Sequence, residues 1–389
     1  MVISNIHLLL IACLVAIIST RTRVPYTVGL VLVGLLLSYV GSDPSTHLSH
    51  DLIFHLLLPP LIFEAAFHLK WRELKPIMTP VIVLATGGVL VAAAVSASLL
   101  FAFSGLSLLT CLIIGIVLSA TDPVSVLALL KEAKLPSRIH KLIEAESLFN
   151  DGAASVLFML VPLVVAGTIS PAGIATMSLT CIAGGIAIGI ATGVAAIATA
   201  GRTKDHLVEI SMTVIAAFGS FNLAESVHAS GILSTLSAGM VIGNLDRAGA
   251  LSEKGLEAAH SFWEFACFVA NSLIFILIGI DLELWEVPGV TRLIVLTIGA
   301  MLIGRAVCVY GCSAPFARTK HRVPLNVQNL LFWGGLRGAL SIALVLSLPA
   351  TMPERNIMIT AVFHAVVFSI IVQGITVAPL IHRVKRASS

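Results

Sequence analysis

Apolar runs of membrane-spanning length recur from one end of this chain to the other, and that recurrence limits its fold more than any other property. A bilayer core about 30 Å thick is crossed by about 20 apolar residues of helix. About thirteen such runs can be read, over approximately 3–19, 26–41, 51–67, 76–103, 107–130, 138–166, 172–198, 206–222, 228–245, 259–281, 290–314, 325–347 and 356–384. Charge is correspondingly scarce. Asp, Glu, Lys and Arg make up 11% of the residues and hydrophobic types 58%, whereas a soluble domain carries about 25% charged residues. A chain of 389 residues folded as soluble domains would need more charged surface than this. The expected fold is therefore an all-α polytopic membrane protein, and a disulfide scaffold, a disordered chain and a nucleic-acid binder are excluded. The six cysteines lie inside apolar runs without metal-ligand spacing and read as small buried hydrophobes.

The loops test the count independently, because Lys and Arg resist translocation and collect on the cytoplasmic side. About nineteen of the 23 basic residues fall in the loops after odd-numbered runs and at the C-terminal end. The N-terminus is thus expected outside and the C-terminus in the cytoplasm. The opposite loops hold Asp43, Asp51, Glu225, Asp281, Glu283, Glu286 and Glu354, either as a cation-attracting vestibule or as a by-product of charge sorting. The first run lacks a basic flank before it and reads as a retained helix rather than a signal peptide. Few residues follow the last run, so a long regulatory tail is not expected.

With the seventh run as linker, the first six and last six become inverted repeats, a common transporter plan. Matching interruptions are then expected, and they occur in the fifth run of each half. Thr121-Asp122-Pro123 interrupts one, since Pro removes an N–H and disfavours helix at the residue before it. Gly334, Gly335 and Gly338 interrupt the other. Broken helices are tolerated in a bilayer only where buried in protein or lining a cavity, and the two are expected to cross at mid-membrane, so that half-helix ends converge there.

An ionisable group at membrane depth costs at least about 2.5–3.5 kcal/mol and is a functional candidate by default. Asp122 lies in the first break, where it could also serve simply as a helix N-cap. In the next run Ser147 and Asp151 share one helix face, and Glu146 and Asn150 the neighbouring face. Arg305 and Arg337 are deep cations that must either be paired, with Glu146 and Glu64 the natural partners, or neutralise the carbonyl ends of the broken helices. His228, His260 and His364 read as satisfied helix histidines. Two carboxylates, a hydroxyl, an amide and freed carbonyls form an oxygen set suited to hard cations. A carboxylate there can hold a proton or a cation but not both, the minimal requirement for cation/proton exchange.

Ala120-Thr121-Asp122-Pro123-Val124 and Glu146-Ser147-Leu148-Phe149-Asn150-Asp151-Gly152 resemble the two ion-site motifs of the NhaP/NHE-type cation/proton antiporters. Leu58-Pro59-Pro60 with Glu64, Ser230-Gly231-Ile232-Leu233, Phe275-Ile276-Leu277-Ile278-Gly279 and Gly334-Gly335-Leu336-Arg337-Gly338-Ala339 extend the resemblance, in order, over nearly the whole chain. It implies a homodimer whose scaffold occupies about 1–70 and 206–285, with a mobile transport core over about 76–168 and 290–384 that moves in an elevator-like way. It further implies that Asp151 carries the proton or cation and that Asp122, Ser147 and Thr121 join it at a bound Na⁺. By the same resemblance Asn150 marks electroneutral exchange, Glu146 pairs with Arg305, and Arg337 supports the breaks with Glu64 and Asn150. The expectation is a Na⁺(Li⁺)/H⁺ antiporter that needs no cofactor and takes monovalent cations, protons and the lipid bilayer as partners. K⁺/H⁺ exchange on the same scaffold, an intramembrane protease and a channel are the alternatives.

Overall fold

The computed structural model describes residues 5–22, 24–40, 48–133, 135–245, 251–282, 289–319 and 321–388. Asp43, Glu283 and Glu286 of the acidic loops, and the basic residues Arg23, Lys134, Arg247 and Lys320, lie outside them. The described chain is almost wholly helical. In chain order the principal helices are α1 (Asn5–Thr22), α2 (Tyr26–Val40), α3 (Leu58–His68), α4 (Gly88–Ser104), α5 (Leu108–Val117), α6 (Val124–Ala133), α7 (Ser137–Val165) and α8 (Pro171–Ala200). They continue as α9 (His206–Ser226), α10 (Gly231–Leu245), α11 (Glu253–Asp281), α12 (Thr291–Ala306), α13 (Leu325–Trp333), α14 (Ala339–Leu346), α15 (Arg355–Phe368) and α16 (Ala378–Ser388). Four of the described helices are extended by π-helical turns: Leu52–Leu57 leads into α3, Val83–Gly87 leads into α4, Val307–Gly311 follows α12, and Ser369–Gln373 follows α15. Seven stretches among the described residues are long and apolar enough to cross a membrane by length and composition, and five shorter apolar helices accompany them.

The chain forms two compact units. The second comprises Phe54–Pro76 and Ser155–Ala270. Its core gathers Phe63, Phe67, Trp263 and the small residues of α8, α9 and α10. Gly185 and Gly189 of α8 sit so near the carbonyls of Ser230, just before α10, and of Ser234 within it that a Cβ at either would collide with backbone. Gly239 and Gly243 of α10 meet α3 at Phe63 and Phe67 in the same way. Close small-residue crossings are how helices pack where lipid, not water, surrounds them.

The first unit comprises Met1–Ile53, Ile77–Ala154 and Asn271–Ser389. Gly115 of α5 rides on Ala93 of α4, and Gly304 of α12 on Ala92 and Ser96 of α4. Here the helices are interrupted where the sequence predicts. Residues 118–123 separate α5 from α6, and residues 334–338 separate α13 from α14.

Four sequence expectations are corrected. The last apolar run is not one helix to 384: it stops at Thr376 and restarts as the separate basic helix α16, with Pro379 in the first turn, where its missing N–H leaves no bond unmade. His228 is not helical but stands in the α9–α10 turn at φ 57°, a left-handed conformation that histidine adopts more readily than most residues. Cys13 is exposed on α1, on a helix that also exposes Ile6, Leu10, Leu14, Ile17 and Ile18. Cys267 and Cys312 are only partly buried. Of the acidic loop residues, Asp281 accepts the Leu48 N–H at 2.7 Å, Glu225 the Gly231 N–H at 2.8 Å and Glu354 the Thr110 hydroxyl at 2.6 Å. These three fix chain turns.

Candidate functional site

The two interruptions meet. Asp122 and Leu336 form an antiparallel backbone bridge, the Asp122 N–H donating to the Leu336 carbonyl at 2.7 Å. Each break frees main-chain groups that must be satisfied without water. At the C-terminal end of α5, the Ser119 and Ala120 carbonyls accept from the Arg337 guanidinium at 3.0 and 2.9 Å, and Ser119 also accepts from the Asn150 amide at 3.1 Å. At the C-terminal end of α13, the Leu331 carbonyl accepts from Nε and a second nitrogen of Arg305 at 3.3 and 3.0 Å. A buried cation thus faces the negative end of each half-helix.

Arg305 also makes a two-pronged ion pair with Glu146, at 2.7 and 3.1 Å, with both side chains almost fully buried. Two parallel N–H···O contacts are the strongest geometry open to a guanidinium and a carboxylate. Gly335 is required where Arg305 passes: a Cβ there would stand 2.7 Å from its Nε. Glu64 belongs to the second unit and lies 3.4 Å from His68 on α3.

Around the bridge the remaining polar side chains converge. Asp122 caps α6, one oxygen accepting the Val124 N–H at 2.9 Å, while its other oxygen lies against Gly338, where a Cβ would collide with the carboxylate. The Thr121 hydroxyl donates to Ser147 at 3.0 Å and accepts from the Asn150 amide at 3.3 Å. Thr121, Ser147 and Asn150 are buried; Asp122 and Asp151 are partly exposed. One Asp151 oxygen and the Asn150 carbonyl oxygen are buried without a hydrogen-bond partner. An orphaned buried acceptor costs about 1–3 kcal/mol. Two in one crossing, among hydroxyls and a second carboxylate, make a set of oxygens that a hard cation or a proton would satisfy.

The site therefore gathers Thr121, Asp122, Ser147, Asn150, Asp151 and Arg337 at one crossing, with the Glu146–Arg305 pair beside it. Residues that sequence reasoning missed lie behind it. The Arg337 N–H donates to the Ser369 hydroxyl at 3.0 Å, Ser369 donates to Gln373 at 2.6 Å, and Gln373 returns a bond to the Trp333 carbonyl at 3.2 Å. Ser341 donates to the Val117 carbonyl at 2.8 Å, a second tie between the broken helices. The signal for Ser369 and Gln373 was their four-residue spacing in an apolar run.

Crossed, interrupted helices joined by backbone and lined by ionisable oxygens define a membrane transporter fold. Residues 9–383 match the family described as sodium/hydrogen exchanger, transmembrane, and the chain belongs to that family. The Na⁺/H⁺ antiporter ApNhaP of Aphanothece halophytica is 38% identical over 96% of this chain and 72% of its own length. The low-affinity Na⁺/H⁺ antiporter NhaS1 of Synechocystis is 36% identical over 94% and 71%. The fold matches the solved sodium proton antiporter MjNhaP1 of Methanocaldococcus jannaschii, with a TM-score of 0.78, 19% identity, and coverage of 97% of this chain and 95% of that one.

Proposed function

We propose that this chain exchanges Na⁺ or Li⁺ for H⁺ across the inner cell membrane, with Asp151 as the group that holds one or the other. The observation that carries the reading is the unpartnered, buried Asp151 oxygen beside Thr121, Ser147 and Asn150. With the site open to one side, a cation takes oxygens from Asp151, Asp122, Ser147 and Thr121, and the proton on Asp151 leaves to that side. After the transport core moves, a proton from the other side reclaims Asp151 and the cation departs. In the antiporters this chain resembles, Asn at the position of Asn150 marks electroneutral exchange, so we read each cycle as one cation for one proton, on which the membrane potential does no work.

The naming of the relatives as Na⁺/H⁺ antiporters supports Na⁺ as cargo. The scaffold over 1–70 and 206–285, the core over 76–168 and 290–384, the homodimer, the external N-terminus and the cytoplasmic C-terminus belong to the same proposal. The test is purified protein in sealed liposomes with a trapped pH dye. Added Na⁺ moves internal pH to an extent that an imposed potential does not change, and Asp151→Asn, still a folded dimer, moves none. Because proton and cation compete for one carboxylate, the apparent KM for Na⁺ rises by about tenfold per pH unit on the acid side. Exchange retained by Asp151→Asn would overturn the site, and a response to K⁺ but not Na⁺ would overturn the cargo.

A further inference from the structure

A cavity of about 420 Å³ lies in the first unit, lined by Tyr310, Phe332, Trp333, Thr376, Leu380 and Arg383 among others, none of them a residue of the ion site. This is the volume class of small-molecule sites. Its walls are largely apolar, and among their polar groups Trp333 Nε1 donates to Thr376 at 2.8 Å and the Tyr310 hydroxyl donates to the Asn329 side-chain carbonyl oxygen at 2.8 Å. The one charged residue in the lining is Arg383, which is exposed at the mouth.

Arg383 belongs to α16, which buries Ile381 and Val384 and exposes His382, Arg383, Lys385 and Arg386. Between the walls that supply Tyr310 and Asn329, Arg318 and Arg322 are exposed. The charge of this part of the chain is lopsided. From Thr291 to the end it holds the basic residues Arg292, Arg305, Arg318, Lys320, Arg322, Arg337, Arg355, Arg383, Lys385 and Arg386, and a single acidic residue, Glu354. Glu354 is held at the other end of the helices by Thr110 at 2.6 Å.

We infer that this cavity binds an anionic glycerophospholipid, with acyl chain against Phe332, Trp333 and Leu380 and phosphate on the Arg383 guanidinium within the basic collar. The chemistry selects the occupant. A free anion would find one guanidinium on a largely apolar wall, and a zwitterionic lipid would gain nothing from the collar. An anionic lipid uses both halves of the site.

The cavity is also joined to the broken helices. Trp333 is the last residue of α13 before the break, and its carbonyl accepts from Gln373. Gln373 is the partner of Ser369, which holds the Arg337 N–H. A lipid that fixes Trp333 and Thr376 together holds α13 and the turn after α15 in the register in which Arg337 reaches the α5 carbonyls. The site is thus regulatory: anionic lipid steadies the crossing.

Delipidated protein, thermal unfolding and native mass spectrometry test the binding without any transport, so the outcome is independent of the exchange proposed above. Phosphatidylglycerol is expected to remain bound and raise the unfolding temperature, while phosphatidylcholine and inorganic phosphate do neither. Arg383→Gln, a change at an exposed side chain, weakens phosphatidylglycerol binding by about fivefold, the worth of one basic residue near an anionic surface. Leu380→Trp fills the cavity and abolishes binding. In vesicles, phosphatidylglycerol added to phosphatidylcholine speeds exchange by the native protein and not by Leu380→Trp, which matches it in phosphatidylcholine alone. Equal retention of the two lipids, an equal shift with inorganic phosphate, or unchanged binding in both variants would overturn the inference.

Discussion

Removing Glu146 while leaving Arg305 is expected to be costlier than removing both. In Glu146→Leu the guanidinium keeps its two bonds to the Leu331 carbonyl and loses the carboxylate that holds it at 2.7 and 3.1 Å. The side chains are 4% and 1% exposed, so water does not replace the partner. A buried charge stripped of its counter-ion costs about 3–5 kcal/mol. Arg305→Met leaves the carboxylate stranded in the same way. In the double variant no charge remains, and the loss reduces to an orphaned Leu331 carbonyl, about 1–3 kcal/mol. The single costs sum to at least about 6 kcal/mol, so the coupling energy is at least about 3 kcal/mol. Reversible unfolding in mixed SDS–maltoside micelles measures all four proteins. A double variant as unstable as the sum of the singles, or a Glu146→Leu of native stability, would refute the reasoning, since either means that the pair is solvated.

Gly338→Ala drives a methyl into the Asp122 carboxylate and is expected to lower exchange at least about tenfold while the protein still elutes as a folded species; native turnover in liposomes would show that the carboxylate is not fixed there. Arg337→Gln uncaps the Ser119 and Ala120 carbonyls and should destabilise by about 2–5 kcal/mol in the same micelle assay. Ser147→Ala removes one cage oxygen and the acceptor of Thr121. It should raise the Na⁺ KM about tenfold with the acid-side pH slope retained, and a KM equal to the native value would remove Ser147 from the site.

Which parts of this architecture were readable in advance follows from where the information sits. Pro123 and the glycines at 334, 335 and 338 announce the breaks because each alters what the backbone can do. Ser147 and Asp151, one turn apart in an apolar run, announce a polar helix face. The joining of the breaks is different. It runs from the Asp122 N–H to the Leu336 carbonyl, and every residue has those groups, so no side chain signals the pairing. The partners of Arg337 are likewise carbonyls, of Ser119 and Ala120; that a deep arginine neutralises carbonyl ends is expected, but no side chain says which carbonyls it reaches. Gln373 and Ser369 passed unnoticed because single polar residues are ordinary in membrane helices. The stop at Thr376 was hidden by hydropathy that continues across it.

The bridge between Asp122 and Leu336 has a consequence for how this protein can be dissected. Unlike the ties made by Ser341 and Arg337, this one is written in main-chain atoms, so a scan that replaces side chains one by one passes over it. Alanine at Leu336 leaves the carbonyl in place, and asparagine at Asp122 leaves the N–H. Only an edit of the polymer itself reaches it, such as an amide-to-ester exchange at position 122 that deletes the donor and spares every side chain. For the same reason sequence drift at Leu336 leaves this joint intact, and one half of the molecule can diverge from the other without coming apart from it.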